Sequence, residues 1–251
     1  YLPWSSVFWI TGAFMLLGVG LSLLAPEPET EQPVYKGLAD IVVRPFGEYL
    51  SRRGWKGVLL VLGFMVLYKL GDNMATALST PFYYDLGFTK SEIGVVAKNA
   101  ALWPAILGGL FGGVLMLRLG INRALWLFGV VQVVSILGFA VLAEAGPILW
   151  LLGLVIAFEY TGVGLGTAAF TAYIARETSK TFAATQFALF TALAAVPRTL
   201  VNASTGIIVE QVGWYDFFLL CAVLALPGML LLFWVAPWNG DGAPQTSGGA
   251  A

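Results

Sequence analysis

A chain of 251 residues that is 59% hydrophobic and only 11% charged holds less than half the charged fraction of ordinary soluble domains, about 25%, and reads as a bundle of membrane helices. Its formal net charge of −1 and its lack of histidine argue against a nucleic-acid partner. Cys221 is the single cysteine, which excludes an intrachain disulfide, a cysteine-based metal site and a dithiol redox motif; no cofactor or metal is expected.

A membrane span needs about 20 mostly apolar residues, and seven stretches qualify. The first, Trp4–Leu24, begins without an initiator Met or a charged leader region. It is therefore not a signal peptide, and the chain is expected to be a fragment whose N-terminal part is missing. Residues 25–56 form the expected linker, "PEPETEQP" followed by "YKGLADIVVRPFGEYLSRRGWK". There Leu38, Ile41, Val42 and Tyr49 fall near one helical face beside Arg and Lys, which fits either an interfacial helix interrupted at Pro45 or a plain tether. The remaining spans are 57–80, 93–117, 124–143, 148–173, 183–209 and 215–235, separated by short loops. They make up a six-helix bundle, 57–238, with kinks expected at Pro104 and Pro197. The tail 239–251 is read as disordered or vector-derived.

The distribution of Lys and Arg sets the orientation. The linker holds Lys36, Arg44, Arg52, Arg53 and Lys56; later loops hold Lys90, then Arg118 and Arg123, then none, then Arg176 and Lys180, then none. Alternate loops divide nine against one, which puts the linker and the C-terminus in the cytoplasm. One helix before a basic cytoplasmic linker and six after it imply two six-helix halves. This organisation resembles the major facilitator architecture, in which two halves pack around a midplane site. The expected fold is thus an all-α transmembrane bundle holding the sixth helix, the linker and the C-terminal half. Gly108, Gly109, Gly112 and Gly113 in "ILGGLFGGVLM" have the small-xxx-small spacing that lets helices approach closely.

Five ionisable groups remain inside the spans: Lys69, Lys98 and Arg198, with Asp72 and Glu159. Charges at such depth face a cavity and are paired. Counted along the helices, Lys69 lies about 18 Å from the cytoplasmic edge, Asp72 and Arg198 about 22 Å. Glu159 lies about 16 Å and Lys98 about 8 Å from the opposite edge. Lys69 and Asp72 are i,i+3 neighbours able to pair, and Asn73, Thr76 and Thr80 continue their face as a polar stripe. The stripe fits a cavity lining; the alternative is a neutralising pair inside a packed bundle. Three cations against two carboxylates leave one positive charge for an anionic cargo, a carboxylate elsewhere, or lipid and solvent reached by snorkelling. Arg198, which holds its proton, is the better anion anchor, with Asn202 one turn on; Lys98 is shallow enough to snorkel. Burial and neighbouring charge let a carboxyl take up a proton in one conformation and release it in another, so Asp72 and Glu159 are the candidate proton carriers. "GVGLG" (Gly162, Gly164, Gly166) sits mid-span with no strand before it, so it reads as helix packing, not as a nucleotide loop.

"VLYKLGD", "TPFYYDLGF", "EIGVVAK", "GGVLMLRLG…RALWLFGVVQ" and "FAATQFALFTALAAVPR" resemble the second half of AmpG-type muropeptide permeases, over roughly residues 25–234. The resemblance implies proton-dependent import of anhydromuropeptides, with or without a stem peptide, across the bacterial inner membrane for peptidoglycan recycling, linked to β-lactamase induction. It carries over Lys69, Asp72, Lys98, Glu159, Gln186 and Arg198 as polar intramembrane positions. Substrate contacts are expected from Lys69, Lys98, Arg198, Gln186, Asn202, Asn73 and Tyr68; Tyr83, Tyr160 and Tyr173 are aromatic candidates of lesser weight. Partners implied are the cargo, protons, the bilayer and the absent N-terminal half. One departure concerns the superfamily's cytoplasmic loop motif, which survives as Gly113, Arg118 and Gly120 with Leu117 at the Asp position. Another proton-coupled transporter, such as a drug/proton antiporter, is the alternative, and the cationic excess counts against it. An enzyme is not expected, because no span sets a nucleophile beside a base and no loop is large enough for a catalytic domain.

Overall fold

The computed structural model describes residues 3–24 and 38–240, apart from the side chains of residues 38–40, 42, 197, 198 and 200. The chain divides into two compact units, 1–34 and 35–251. In the first, α1 (Trp4–Leu24) is one unbroken apolar helix long enough to cross a bilayer, with none of its residues buried. Most of the linker's acidic stretch and the tail from residue 241 lie outside the described residues.

The second unit is helical throughout its described residues. In chain order it comprises α2 (Leu38–Leu67), α3 (Leu70–Ala77), α4 (Ser79–Asp85), a short α5 (Lys90–Glu92), a π-helical turn (Ile93–Ala97), α6 (Lys98–Leu119), α7 (Ile121–Ala145), α8 (Leu149–Glu177) and α9 (Ala183–Val235). Six helical stretches among the described residues are long and apolar enough to cross a membrane. The last runs for 53 residues, about 80 Å, more than twice the bilayer's apolar core of about 30 Å. Gly213, at φ 80° and ψ 169°, divides it into 183–212 and 214–235, each of spanning length. A side chain at that φ would be strained, and glycine is not. Seven spans result.

Gly54, at φ 69° and ψ 162°, divides α2 in the same way. The interruption expected at Pro45 is not there; the helix runs through it to Gly54. A proline ring removes one ladder hydrogen bond, and Pro45 is held by its own carbonyl, which accepts from Gln186 Nε2 at 2.8 Å. The helices likewise continue through Pro104 and Pro197.

Packing follows the small residues. The tightest helix pair is α6 on α8, while α9 packs on α2, α3 and α7. Gly108 lies against the backbone of Thr161, Gly112 against Leu165 and Ala168, and Gly164 against Ala105 and Gly109. Gly109 and Gly113 instead meet no neighbour that a Cβ would touch. Only alternate members of the two glycine pairs therefore make the close contact. Gly108→Ala is expected to destabilise the bundle by about 1–3 kcal/mol through overpacking, whereas Gly113→Ala leaves it unchanged or slightly firmer; thermal unfolding of the purified protein in detergent compares the two.

Two apolar clusters fill the unit. One gathers Phe82, Phe139, Ile156, Phe217 and Phe218; the other gathers Tyr49, Phe64, Tyr68, Phe128, Phe170, Tyr173 and Phe190. Helix α7 and helix α8 each pass from one cluster to the other, and the chain does so again between Tyr68 and Met74. At each crossing stands a buried polar residue: Asp72, then Gln132 and Ser135, then Glu159. A polar layer is thus clamped between two greasy ones, at the depth where the functional groups are expected.

Candidate transport site

The layer begins where the first span of the unit is distorted. Lys69 sits at φ −99°, ψ 1° and Leu78 at φ −106°, ψ 16°, framing the eight-residue α3. Backbone bonds still bridge the first of these joints, Tyr68 N–H to Phe64 O and Asn73 N–H to Lys69 O, both 2.9 Å. Asp72 falls in the first turn of α3, where the exposed N–H dipoles favour a negative group. Lys69 Nζ donates to Asp72 Oδ2 at 3.1 Å, with both side chains about nine-tenths buried (11% and 7% exposed).

This pair forms one wall of a cavity of about 280 Å³, also lined by Asn73, Thr76, Tyr160, Thr167 and Asn202. Thr76 donates its hydroxyl to Asp72 O at 2.8 Å, so toward the cavity its oxygen is an acceptor. Asn202 contributes from α9, and its Oδ1 has no hydrogen-bond partner among the described residues. One cation, one carboxylate, two amides and three hydroxyls therefore converge from three separate parts of the chain. Such a lining suits a polar, hydroxyl-rich and anionic solute better than an apolar one.

Glu159 lies behind this wall. It is fully buried, and neither carboxyl oxygen has a hydrogen-bond partner among the described residues. Asp72, Ser135 and Lys69 are polar groups that act on it electrostatically. Ser135 and Gln132 belong to α7, and Gln132 packs against Gly166 of α8. The glycines of "GVGLG" thus serve close packing: Gly164 receives α6, while Gly162 and Gly166 receive α7.

Lys98 stands apart. It is exposed and follows directly on the π-helical turn, the kind of irregularity that re-aims side chains in helices. It lines a small pocket of about 30 Å³ with Ser79, Thr80, Tyr83 and Tyr160. Tyr160 borders both this pocket and the Lys69 cavity. Beside the Lys69 cavity, Val163 and Thr167 also border an open apolar groove between α6 and α8.

Two expected contacts are placed elsewhere. Tyr68 does not line the cavity; its ring stacks on Phe170 with centroids 5.8 Å apart, and its hydroxyl donates to Leu125 O at 2.8 Å. Gln186 is buried at the start of α9, donating to Pro45 O at 2.8 Å and Glu48 Oε2 at 2.7 Å and accepting from Ser179 N–H at 2.7 Å. With its amide engaged there, it joins chain segments and lines none of these pockets. The side chain of Arg198 lies outside the described residues. Sequence reasoning missed Gln132 and Ser135, an i,i+3 polar pair in the apolar "VVQVVSI" whose spacing was the available signal, and Thr167. It also missed Glu177, which is fully buried and binds Arg53 Nε at 3.0 Å and the Tyr49 hydroxyl at 3.1 Å.

Residues 1–202 match the family model of the Major Facilitator Superfamily. The chain belongs to that superfamily. Among its relatives, an uncharacterized protein of Haemophilus influenzae is 50% identical over 94% of this facilitator chain and 57% of its own length. The anhydromuropeptide permease of Escherichia coli K12 is 40% identical over 92% of the chain and 47% of the relative. A Rickettsia conorii protein bearing the name AmpG 4 is 32% identical over 77% and 46%. The chain spans about half the length of these relatives. An all-α facilitator bundle accords with both the family match and the helices described above, and the likeness to AmpG-named transporters bears on the second half of such a protein.

Proposed function

We propose that this chain forms the C-terminal half of a proton-coupled importer of anhydromuropeptides in the bacterial inner membrane, with the Lys69 cavity as its share of the cargo site. The reading rests chiefly on one observation, the buried Lys69–Asp72 pair opening onto a hydroxyl- and amide-lined cavity with Glu159 behind it. The permease name borne by the Escherichia coli relative supports the cargo class. A sugar bearing an acidic peptide needs cations for its carboxylates and amides, hydroxyls and aromatic faces for its rings; Lys69, Asn73, Asn202, Thr76 and Tyr160 supply those chemistries. A cavity of about 280 Å³ falls at the lower end of ligand pockets, about 300–1,000 Å³, so a cargo of this size draws its remaining walls from the N-terminal half. Asp72 and Glu159 are the carboxyls assigned to proton coupling. The basic residues clustered at alternate ends of the spans put the linker and C-terminus in the cytoplasm. In this reading the imported product feeds cell-wall recycling and, through it, β-lactamase induction.

The test is uptake of labelled anhydromuropeptide into proteoliposomes carrying the full-length protein. Lys69→Ala removes the cation and strands Asp72, and is expected to lower uptake at least about tenfold, the effect of losing one charge-assisted contact of about 1.5–3 kcal/mol. Undiminished uptake by that variant would remove the cavity from the reading. Selective transport of an apolar cationic drug by the wild type would replace the cargo.

A further inference from the structure

The polar layer contains more acceptors than donors, and the imbalance falls on two adjacent carboxyls. Asp72 Oδ2 is occupied by Lys69 Nζ, but Asp72 Oδ1 and both oxygens of Glu159 are buried without a partner among the described residues. Ser135, the other polar neighbour of Glu159, donates its only hydroxyl hydrogen to Gln132 O at 2.9 Å. It can therefore only accept from Glu159. Among the described side chains, the polar neighbours of the Glu159 carboxyl, Asp72 and Ser135, offer it acceptors and no free hydrogen.

The remaining neighbours do not repair this. Tyr83 on α4 and Cys221 on α9 face Glu159 at electrostatic range only. The side-chain amide of Gln132 lies against Gly166, two turns along α8, and its nitrogen is itself unpartnered. Lys69 acts on Glu159 through its charge, while its contact is with Asp72. Among the described side chains, two ionised carboxylates would face the single ammonium of Lys69 between two apolar clusters. Unbalanced charge there is strongly disfavoured.

We propose that Asp72 and Glu159 hold one proton between them, so that Lys69, Asp72 and Glu159 are together neutral in the loaded state. The proton lies between Asp72 Oδ1 and a Glu159 oxygen, with Ser135 Oγ as the second acceptor of the same carboxyl. Neighbouring carboxyls that cannot both ionise share a proton in this way. Its departure leaves both carboxylates ionised before the ammonium of Lys69, and tightens the ion pair on the cavity wall. Cargo carboxylates and the ionised pair thus compete for one cation: loading the proton relaxes the hold of the aspartate on Lys69 and frees it for an anionic passenger. One binding site and one proton site are linked through a single ammonium group.

This deepens the reading of Asp72 and Glu159 as the coupling carboxyls and rests on it, but its test involves no cargo. Infrared difference spectra of the full-length protein in lipid nanodiscs, at neutral pH, report a protonated carboxyl by its carbonyl band. The wild type is expected to show that band, shifted downward in D₂O. In Glu159→Gln, a neutral isostere that keeps the packing, the band is expected to be gone; in Asp72→Asn it is expected to be displaced because the partner acceptor has changed. Absence of the band in the wild type, or its persistence in Glu159→Gln, would overturn the proposal. So would a band lost in Glu159→Gln yet unmoved in Asp72→Asn, since the proton would then belong to Glu159 alone. A protein that fails to carry muropeptide in the uptake assay still gives one of these spectra, so the two readings fail separately.

Discussion

Glu159→Gln is expected to abolish accumulation of cargo against its gradient, with exchange of labelled for unlabelled cargo at equal concentrations continuing. The isostere occupies the same volume between the apolar clusters but can neither gain nor lose a proton. If one proton accompanies each cargo molecule, an inward gradient of one pH unit drives about tenfold accumulation, and the variant brings that ratio to one. Proteoliposomes with imposed pH gradients measure both quantities in the same preparation. Loss of exchange together with accumulation, in a protein that still unfolds at the wild-type temperature, would make Glu159 part of the cargo route instead. An unchanged accumulation ratio would take it out of coupling altogether.

The largest effect on stability is expected away from the cavity, at the far end of α8. Glu177 is fully buried while Arg53 is partly exposed (side chain 42%), and the guanidinium binds both carboxylate oxygens. Arg52 donates to Glu177 O at 2.6 Å. Arg53→Ala strands a buried carboxylate that retains only the Tyr49 hydroxyl. The cost is set at roughly 3 kcal/mol, the low end for breaking a buried pair, because solvent reaches the arginine. Pairing it with Glu177→Gln removes the orphaned charge and is expected to recover most of that loss. Thermal unfolding of the two single variants and the double variant closes the cycle. Additive losses would show that the contact is incidental.

Sequence alone carried the span count because hydropathy and length are properties of the chain. It could not see that Gly54 and Gly213 would mark the helix joints, since glycines in apolar runs more often serve packing. The intramembrane charges were legible for the same reason that makes them costly: Lys69, Asp72 and Glu159 stand out from apolar surroundings. Their convergence was legible only as a shared depth. Gln186 misled because a buried glutamine in a transmembrane pattern looks the same whether it faces a cavity or ties down a neighbouring segment; the difference lies in Pro45 and Glu48, about 140 residues earlier in the chain. Tyr68 misled likewise, its hydroxyl being satisfied by a carbonyl on another helix. Ser135 and Gln132 were passed over because uncharged polar residues are common in membrane helices, where they bond across interfaces.

The two joints around α3 place a mechanical constraint on any working cycle. Lys69 and Leu78 are where the backbone leaves helical geometry, so a pull on the ammonium is applied at a pivot, and the short rod beyond it carries the aspartate only three residues away. Tilting that rod by a few degrees moves the carboxyl relative to its partner on the next helix without unwinding a turn. In the proposed cycle, capture of a passenger and the fate of the proton are two ends of one lever, and stiffening the pivot would slow both together.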